Sequence, residues 1–149
     1  MSTKEIGNLG EKIAEKYLKD KGYEILDKNY SFRISGNPQK GEIDMVAKKS
    51  DIISFIEVKT LTEARGEQFS AISPEEKVDF WKQRKLVKTA ESWLMKKKIP
   101  LNSKWQIDVI AIKINSNTRA IAKGEEEDLS SSPKKVEISH FENAISYAP

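Results

Sequence analysis

Apolar residues recur at helical spacing from the start of the chain. Ile6, Leu9, Ile13, Ala14, Tyr17 and Leu18 fall on one stripe. Ser2 or Thr3 can cap the helix that this stripe predicts, and Gly22 is its stop, so it runs to about residue 21. Residues 23–32 read as an irregular strand, and Ser35-Gly36-Asn37-Pro38 as a turn. Two β-rich runs follow, 42–48 and 52–60, parted by Lys49-Ser50-Asp51. Residues 61–72 look like a long loop. Ser73-Pro74-Glu75-Glu76 is a helix start, with Ser73 as cap, Pro74 at the first helical position and Glu76 completing a capping box. That helix runs to about residue 98, with Pro100 beyond its end. Residues 105–114 alternate as a strand, 115–134 read as a polar hairpin or loop, partly disordered, and 136–140 as a last short strand. The order α, β, β, β, α, β predicts an α/β fold, a mixed sheet flanked by helices.

The pair of runs around Ser50-Asp51 carries the chemistry. If those two residues form a tight loop, Lys49 faces Ile52 and Asp44 faces Glu57. Opposed residues have Cβ atoms about 4.5–5.5 Å apart, where two carboxylates repel unless a cation lies between them. Alternation places Ile53, Phe55, Glu57 and Lys59 on one face, and Val46, Asp44 and Glu42 on the partner's corresponding face. An apolar surface thus turns into a charged pocket at one end of the hairpin. Mg²⁺ takes oxygen ligands from one or two carboxylates, water and substrate phosphate. Lys59 beside the acids could neutralise them or orient an attacking water. The same residues also fit a cross-strand ion-pair set with Glu42 opposite Lys59, and spacing alone supports both readings.

Composition narrows the class. The chain has 149 residues, the size of one domain, and 38% are hydrophobic. No run approaches the roughly 20 apolar residues of a spanning helix, and residues 1–5 lack the apolar stretch of a secretory signal. A cytoplasmic protein with no membrane partner is the default expectation. Without cysteine, disulfides, thiolate metal sites and a Cys nucleophile are excluded. The net charge of +3 permits nucleic-acid binding without demanding it.

The residues also resemble a family. Asp44 followed by Glu57-Val58-Lys59 in the next strand looks like the PD-(D/E)xK nuclease signature. Taken with Gly10-Glu11, Ala14, Tyr17-Leu18, Gly22-Tyr23, Asn29, Gly41-Glu42-Ile43-Asp44, Lys82, Ala90, Asp108-Val109 and His140-x-x-Asn143-Ala144, the chain resembles the YraN-like family over nearly its full length. In size and layout it is similar to archaeal Holliday-junction resolvases. The resemblance implies one restriction-endonuclease-like domain over residues 1–149. It implies that Asp44 and Glu57 bind Mg²⁺ or Mn²⁺, that Glu11 joins them from the first helix, and that Lys59 assists the water. The activity implied is a metal-dependent endonuclease cutting DNA, branched or structured DNA on the resolvase analogy, with a homodimer expected on that analogy alone. The alternative is a nucleic-acid-binding or partner-binding protein that keeps the fold with negligible turnover. Ile43 departs from the Pro of the signature. Leu61 stands where many relatives place a basic residue, for which Arg65 could substitute.

Lys82 and Gln83, early in the second helix, are candidates to contact phosphate, with Arg65. Each phosphate neutralised adds about 0.9 to the salt slope on duplex DNA. Arg84, Lys88 and Lys96 to Lys98 read instead as a wet helix face. Trp81, Trp93 and Trp105 read as core rather than as base-stacking platforms. His140, the single histidine, reads as a capping or packing residue near Asn143.

Overall fold

The computed structural model describes residues 2–33, 35–36, 40–62, 80–114 and 136–145, with side chains except those of Phe80 and Trp81. The first helix, α1, spans Thr3–Asp20. Ser2 caps it, its hydroxyl accepting from the Glu5 N–H at 3.2 Å. Gly22 ends it in a left-handed conformation, φ 91°. The Tyr23 N–H donates to the Leu18 carbonyl and the Gly22 N–H to the Lys19 carbonyl, the Schellman arrangement that satisfies orphan helix carbonyls.

Five strands follow the expected order: β1 (Glu24–Arg33), β2 (Lys40–Lys49), β3 (Ile52–Thr62), β4 (Trp105–Ile114) and β5 (Val136–Phe141), with α2 (Phe80–Lys96) between β3 and β4. The sheet order is β1-β2-β3-β4-β5. Among the described strands only β3 and β4 run parallel; the other neighbours are antiparallel. A parallel pair cannot be closed by a tight turn, so the chain crosses over through α2. This helix also ends in a Schellman turn. Lys98 takes the left-handed conformation, and the Ile99 N–H donates to the Leu94 carbonyl at 2.8 Å. The capping sequence at 73–76, the loop residues 63–72 including Arg65, and the polar segment 115–134 lie outside the described residues.

The helices cover opposite faces of the sheet. On one face Leu86, Ala90, Trp93 and Leu94 of α2 pack on Ile43, Val46, Ile53, Phe55 and Ile107. On the other, Ile13, Ala14 and Leu18 of α1 pack on Met45, Ala47, Ile56, Ile110 and Ile112. Trp93 is 2% exposed and sits edge-on to Phe55, as does Trp105. Trp93 is core, as its spacing suggested; Trp105 is half-buried against the edge of that cluster, its indole N–H donating to the Leu101 carbonyl at 3.0 Å.

Two glycines set how closely the helices approach. A Cβ on Gly10 would collide with the Thr60 hydroxyl of β3, and one on Gly41 of β2 with the Thr89 hydroxyl of α2. Only a residue without a side chain permits either approach.

Among the described residues no helix is long and apolar enough to cross a membrane.

Candidate metal and phosphate site

The β2–β3 hairpin closes on Ser50-Asp51 with Lys49 opposite Ile52, the expected register. The expected row of Asp44 facing Glu57 is not reached. The ladder's last pair is Met45 with Ile56. Alternation breaks at the same place, because Ile43 and Val46 pack in the core beneath α2 while Met45 packs beneath α1. Residues 43 and 45 would share a face in a regular strand. Simple alternation therefore does not assign Asp44 a face. Asn29, level with it on β1, has φ 53° and is skipped by the β1–β2 pairing. β2 and β3 part beyond the Met45–Ile56 pair, leaving a fork there.

Asp44 fills the fork. Its Oδ2 accepts a 2.7 Å hydrogen bond from the Val58 N–H, a donor that the parted strand leaves without a ladder partner. From there Asp44 reaches both sides of the sheet. With Glu11 of α1 it lines a cleft of about 270 Å³, and it feels the charge of Lys82 on α2. Gly10 holds Glu11 close enough for this, because the tight approach of α1 to Thr60 is one residue away.

Glu57 lies in β3 on the α2 side, in the regular alternation of Ile53 and Phe55. Its Oε1 is 2.9 Å from Lys82 Nζ. Lys59, two residues on, adds a second positive charge near Glu57. These two half-buried acids are held away from ionisation. Burial pushes the Asp44 carboxyl up to about 6, with the Glu11 charge adding to it and the Val58 hydrogen bond opposing it. Burial pushes Glu57 up to about 7, with Asp44 adding to it and Lys82 and Lys59 opposing it. Glu11, Asp44 and Glu57 thus form a chain of neighbours linked through Asp44. They are not a compact triad with all ligand atoms within 4.8 Å of one another. Their donor atoms are all oxygen, the type that Mg²⁺ or Mn²⁺ would take. Lys82 provides positive charge at that position in the ion-free protein.

Other candidates divide clearly. Glu42 is exposed and pairs with Lys40 at 3.6 Å, the surface role open to it from the start. Gln83 follows Lys82 in α2, and both make further polar interactions. Leu61 is buried at 2% exposure, a core position.

The structure also brings together a group that sequence reasoning passed over. One ligand atom each from Asp108, His140 and Glu142 lies within 4.8 Å of the others, so this group could hold a metal ion. Asp108 is fully buried, and His140 Nε2 is 2.8 Å from its Oδ2. The available signal was Asp108 itself, a lone acid inside the apolar run Ile107-Asp108-Val109-Ile110, where a charge needs a partner. The partner could not be read from the chain, because the β4–β5 register puts His140 opposite Ile110 only after folding.

Comparison with known proteins places this chain in a family. A 45% identical relative from Clostridium tetani, named UPF0102 protein, aligns over 113 residues, 76% of this chain and 83% of the relative. A UPF0102 protein of Clostridium botulinum strain Loch Maree is 40% identical over 115 residues, with the same two coverages. The profile of the Uncharacterised protein family UPF0102 matches residues 10–112, a stretch that carries Glu11, Asp44, Glu57, Lys59 and Lys82, and the chain therefore belongs to UPF0102, the YraN family.

Proposed function

We propose that this protein is a metal-dependent endonuclease that hydrolyses phosphodiester bonds in DNA. One observation carries the reading. The β2–β3 fork draws Asp44 toward both Glu57 and Glu11, in a place where two acids resist ionisation and a lysine already pairs with one of them. Acids whose proton affinity is raised by burial and by a neighbouring carboxylate, beside a cleft, mark a candidate functional site. The α-β-β-β-α-β order and the position of the acids suit the restriction-endonuclease-like layout that the motif implies.

Asp44 and Glu57 would hold the ion, with Glu11 completing the shell or orienting a water. A bound Mg²⁺ or Mn²⁺ would polarise the phosphoryl oxygen and acidify its water. Lys59 stabilises negative charge that grows on the phosphate. Lys82 and Gln83 anchor the neighbouring backbone phosphate, and Arg65 is assigned the same role. The protein acts in the cytoplasm as a homodimer on branched or structured DNA, by analogy with resolvases.

A second reading has its own support. The Lys82–Glu57 ion pair balances charge without any cation, as in a DNA-binding or partner-binding protein with negligible turnover.

The test titrates Mg²⁺ or Mn²⁺ against supercoiled, single-stranded and four-way-junction DNA with wild type, Asp44→Ala, Glu57→Ala and Lys59→Ala. Metal-dependent cutting lost in all three variants supports the enzyme. Binding that survives every substitution, with no cutting by any protein, supports the binding protein.

A further inference from the structure

We infer that Asp108, His140 and Glu142 form a second cation site, separate from Asp44 and Glu57 and suited to a borderline divalent ion such as Zn²⁺. It does not rest on the nuclease reading.

The case lies in which atoms the fold ties down. Asp108 Oδ1 accepts from the Asn143 N–H at 2.9 Å and from Gln106 Nε2 at 2.9 Å. His140 Nδ1 is 3.3 Å from the Tyr17 hydroxyl. Glu142 Oε1 accepts from the Tyr23 hydroxyl at 3.3 Å. Each side chain thus has a partner outside the group, and Asp108 and His140 also hydrogen-bond each other. The other ends of Asp108 and His140, Oδ2 and Nε2, face each other at 2.8 Å, and Glu142 brings an oxygen to the same place. Metal-binding residues show this pattern, because partners on the far atoms orient the near ones.

Burial and access fit as well. Asp108 is fully buried and the His140 side chain is 9% exposed, so two donors are shielded from water, while Glu142 is exposed. A cavity of about 200 Å³, bounded in part by Tyr23, Lys49 and Gln106, reaches Glu142, the exposed donor of the three.

One imidazole nitrogen and two carboxylate oxygens favour Zn²⁺ over Mg²⁺, which prefers oxygen alone. Three protein donors leave a tetrahedral ion one position for water. Coordination through Nε2 requires the ring proton on Nδ1, where the Tyr17 oxygen accepts it. An ion here would join β4 to the end of β5, and through the tyrosines to α1 and the start of β1.

The experiment strips the full-length protein with chelator and titrates it with Zn²⁺ by calorimetry, with Co²⁺ absorption as the sign of histidine ligation. Wild type is expected to take up a single equivalent of Zn²⁺ at this site and to gain several degrees of thermal midpoint. His140→Gln and Glu142→Gln should each weaken Zn²⁺ at least about tenfold, and Tyr17→Phe about 10–100-fold, as orienting partners do. The Co²⁺ band should vanish in His140→Gln. Glu142→Gln alters an exposed side chain and keeps the test valid if His140→Gln fails to fold. Asp44→Asn should leave Zn²⁺ uptake unchanged, which separates this site from the proposed nuclease site. The inference is overturned if wild type takes up no Zn²⁺. It is equally overturned if uptake is unaltered in Glu142→Gln, or if uptake is lost in Asp44→Asn and kept in Glu142→Gln.

Discussion

Asp44 does two jobs whose demands conflict. Its Oδ2 satisfies the Val58 N–H at the open fork, while its charge is buried beside two other acids. An amide keeps the acceptor and removes the charge. Asp44→Asn is therefore expected to stabilise the metal-free protein by about 1 kcal/mol, read as a higher urea midpoint in chelator, while it abolishes Mn²⁺ binding. A lower midpoint would mean that the carboxylate is structurally required. Lys82 makes the complementary case. Its ammonium is 2.9 Å from Glu57 and, under the proposed function, would compete with the ion there, so Lys82→Met should tighten Mn²⁺ binding roughly tenfold, the equivalent of ~1.4 kcal/mol, while it weakens DNA binding. Calorimetry giving weaker Mn²⁺ binding in that variant would reverse the assignment of Lys82 as a resident counter-ion.

At the scale of elements, the site depends on how closely α1 lies on β3. Gly10 allows the contact with Thr60 that brings Glu11 to the fork. Gly10→Ala must push the helix outward or distort β3, at about 1–3 kcal/mol. The double variant Gly10→Ala, Thr60→Ala removes the colliding hydroxyl and should recover most of that loss in a denaturation cycle. Additive costs would show that helix geometry, not the Thr60 contact, makes Gly10 necessary. Gly41 plays the same part for α2 against Thr89. The sheet's one parallel pair is what α2 must bridge, and this carries Lys82 across the face that bears Glu57.

For the whole molecule, the two strained acids govern how stability responds to pH. Both bind protons more tightly folded than at their ordinary values of 3.8 and 4.5, with folded values of about 6 and about 7. Between those limits the folded chain holds more protons than the unfolded chain, so the slope of stability with pH is negative. The metal-free protein should lose on the order of a few kcal/mol from these groups as pH rises from about 4 to about 7. Urea titrations in chelator at several pH values read this directly. Mn²⁺ should flatten the slope, because a cation between the acids favours their ionised forms. A metal-free profile that rises across that window would contradict the burial of these acids.

Much of the architecture was legible in the chain because its signals are local. The α1 stripe, its Ser2 cap and Gly22 stop, the Ser50-Asp51 loop and the alternation of residues 105–114 act within a few residues of one another, and the structure places the elements close to those bounds. The motif likewise pointed to Asp44 and Glu57 as neighbours. Their geometry was not legible. Alternation and the hairpin register put Asp44 on the face of Val46 and directly across from Glu57, whereas the period breaks between Ile43 and Met45 and the ladder ends at Met45, leaving Asp44 at the fork bonded to the Val58 N–H. The grouping of Asp108, His140 and Glu142 was equally hidden. Period and capping are encoded residue by residue. Where a strand breaks its own period, and which distant strand lies beside it, is decided by the competition of two packed helices for one sheet.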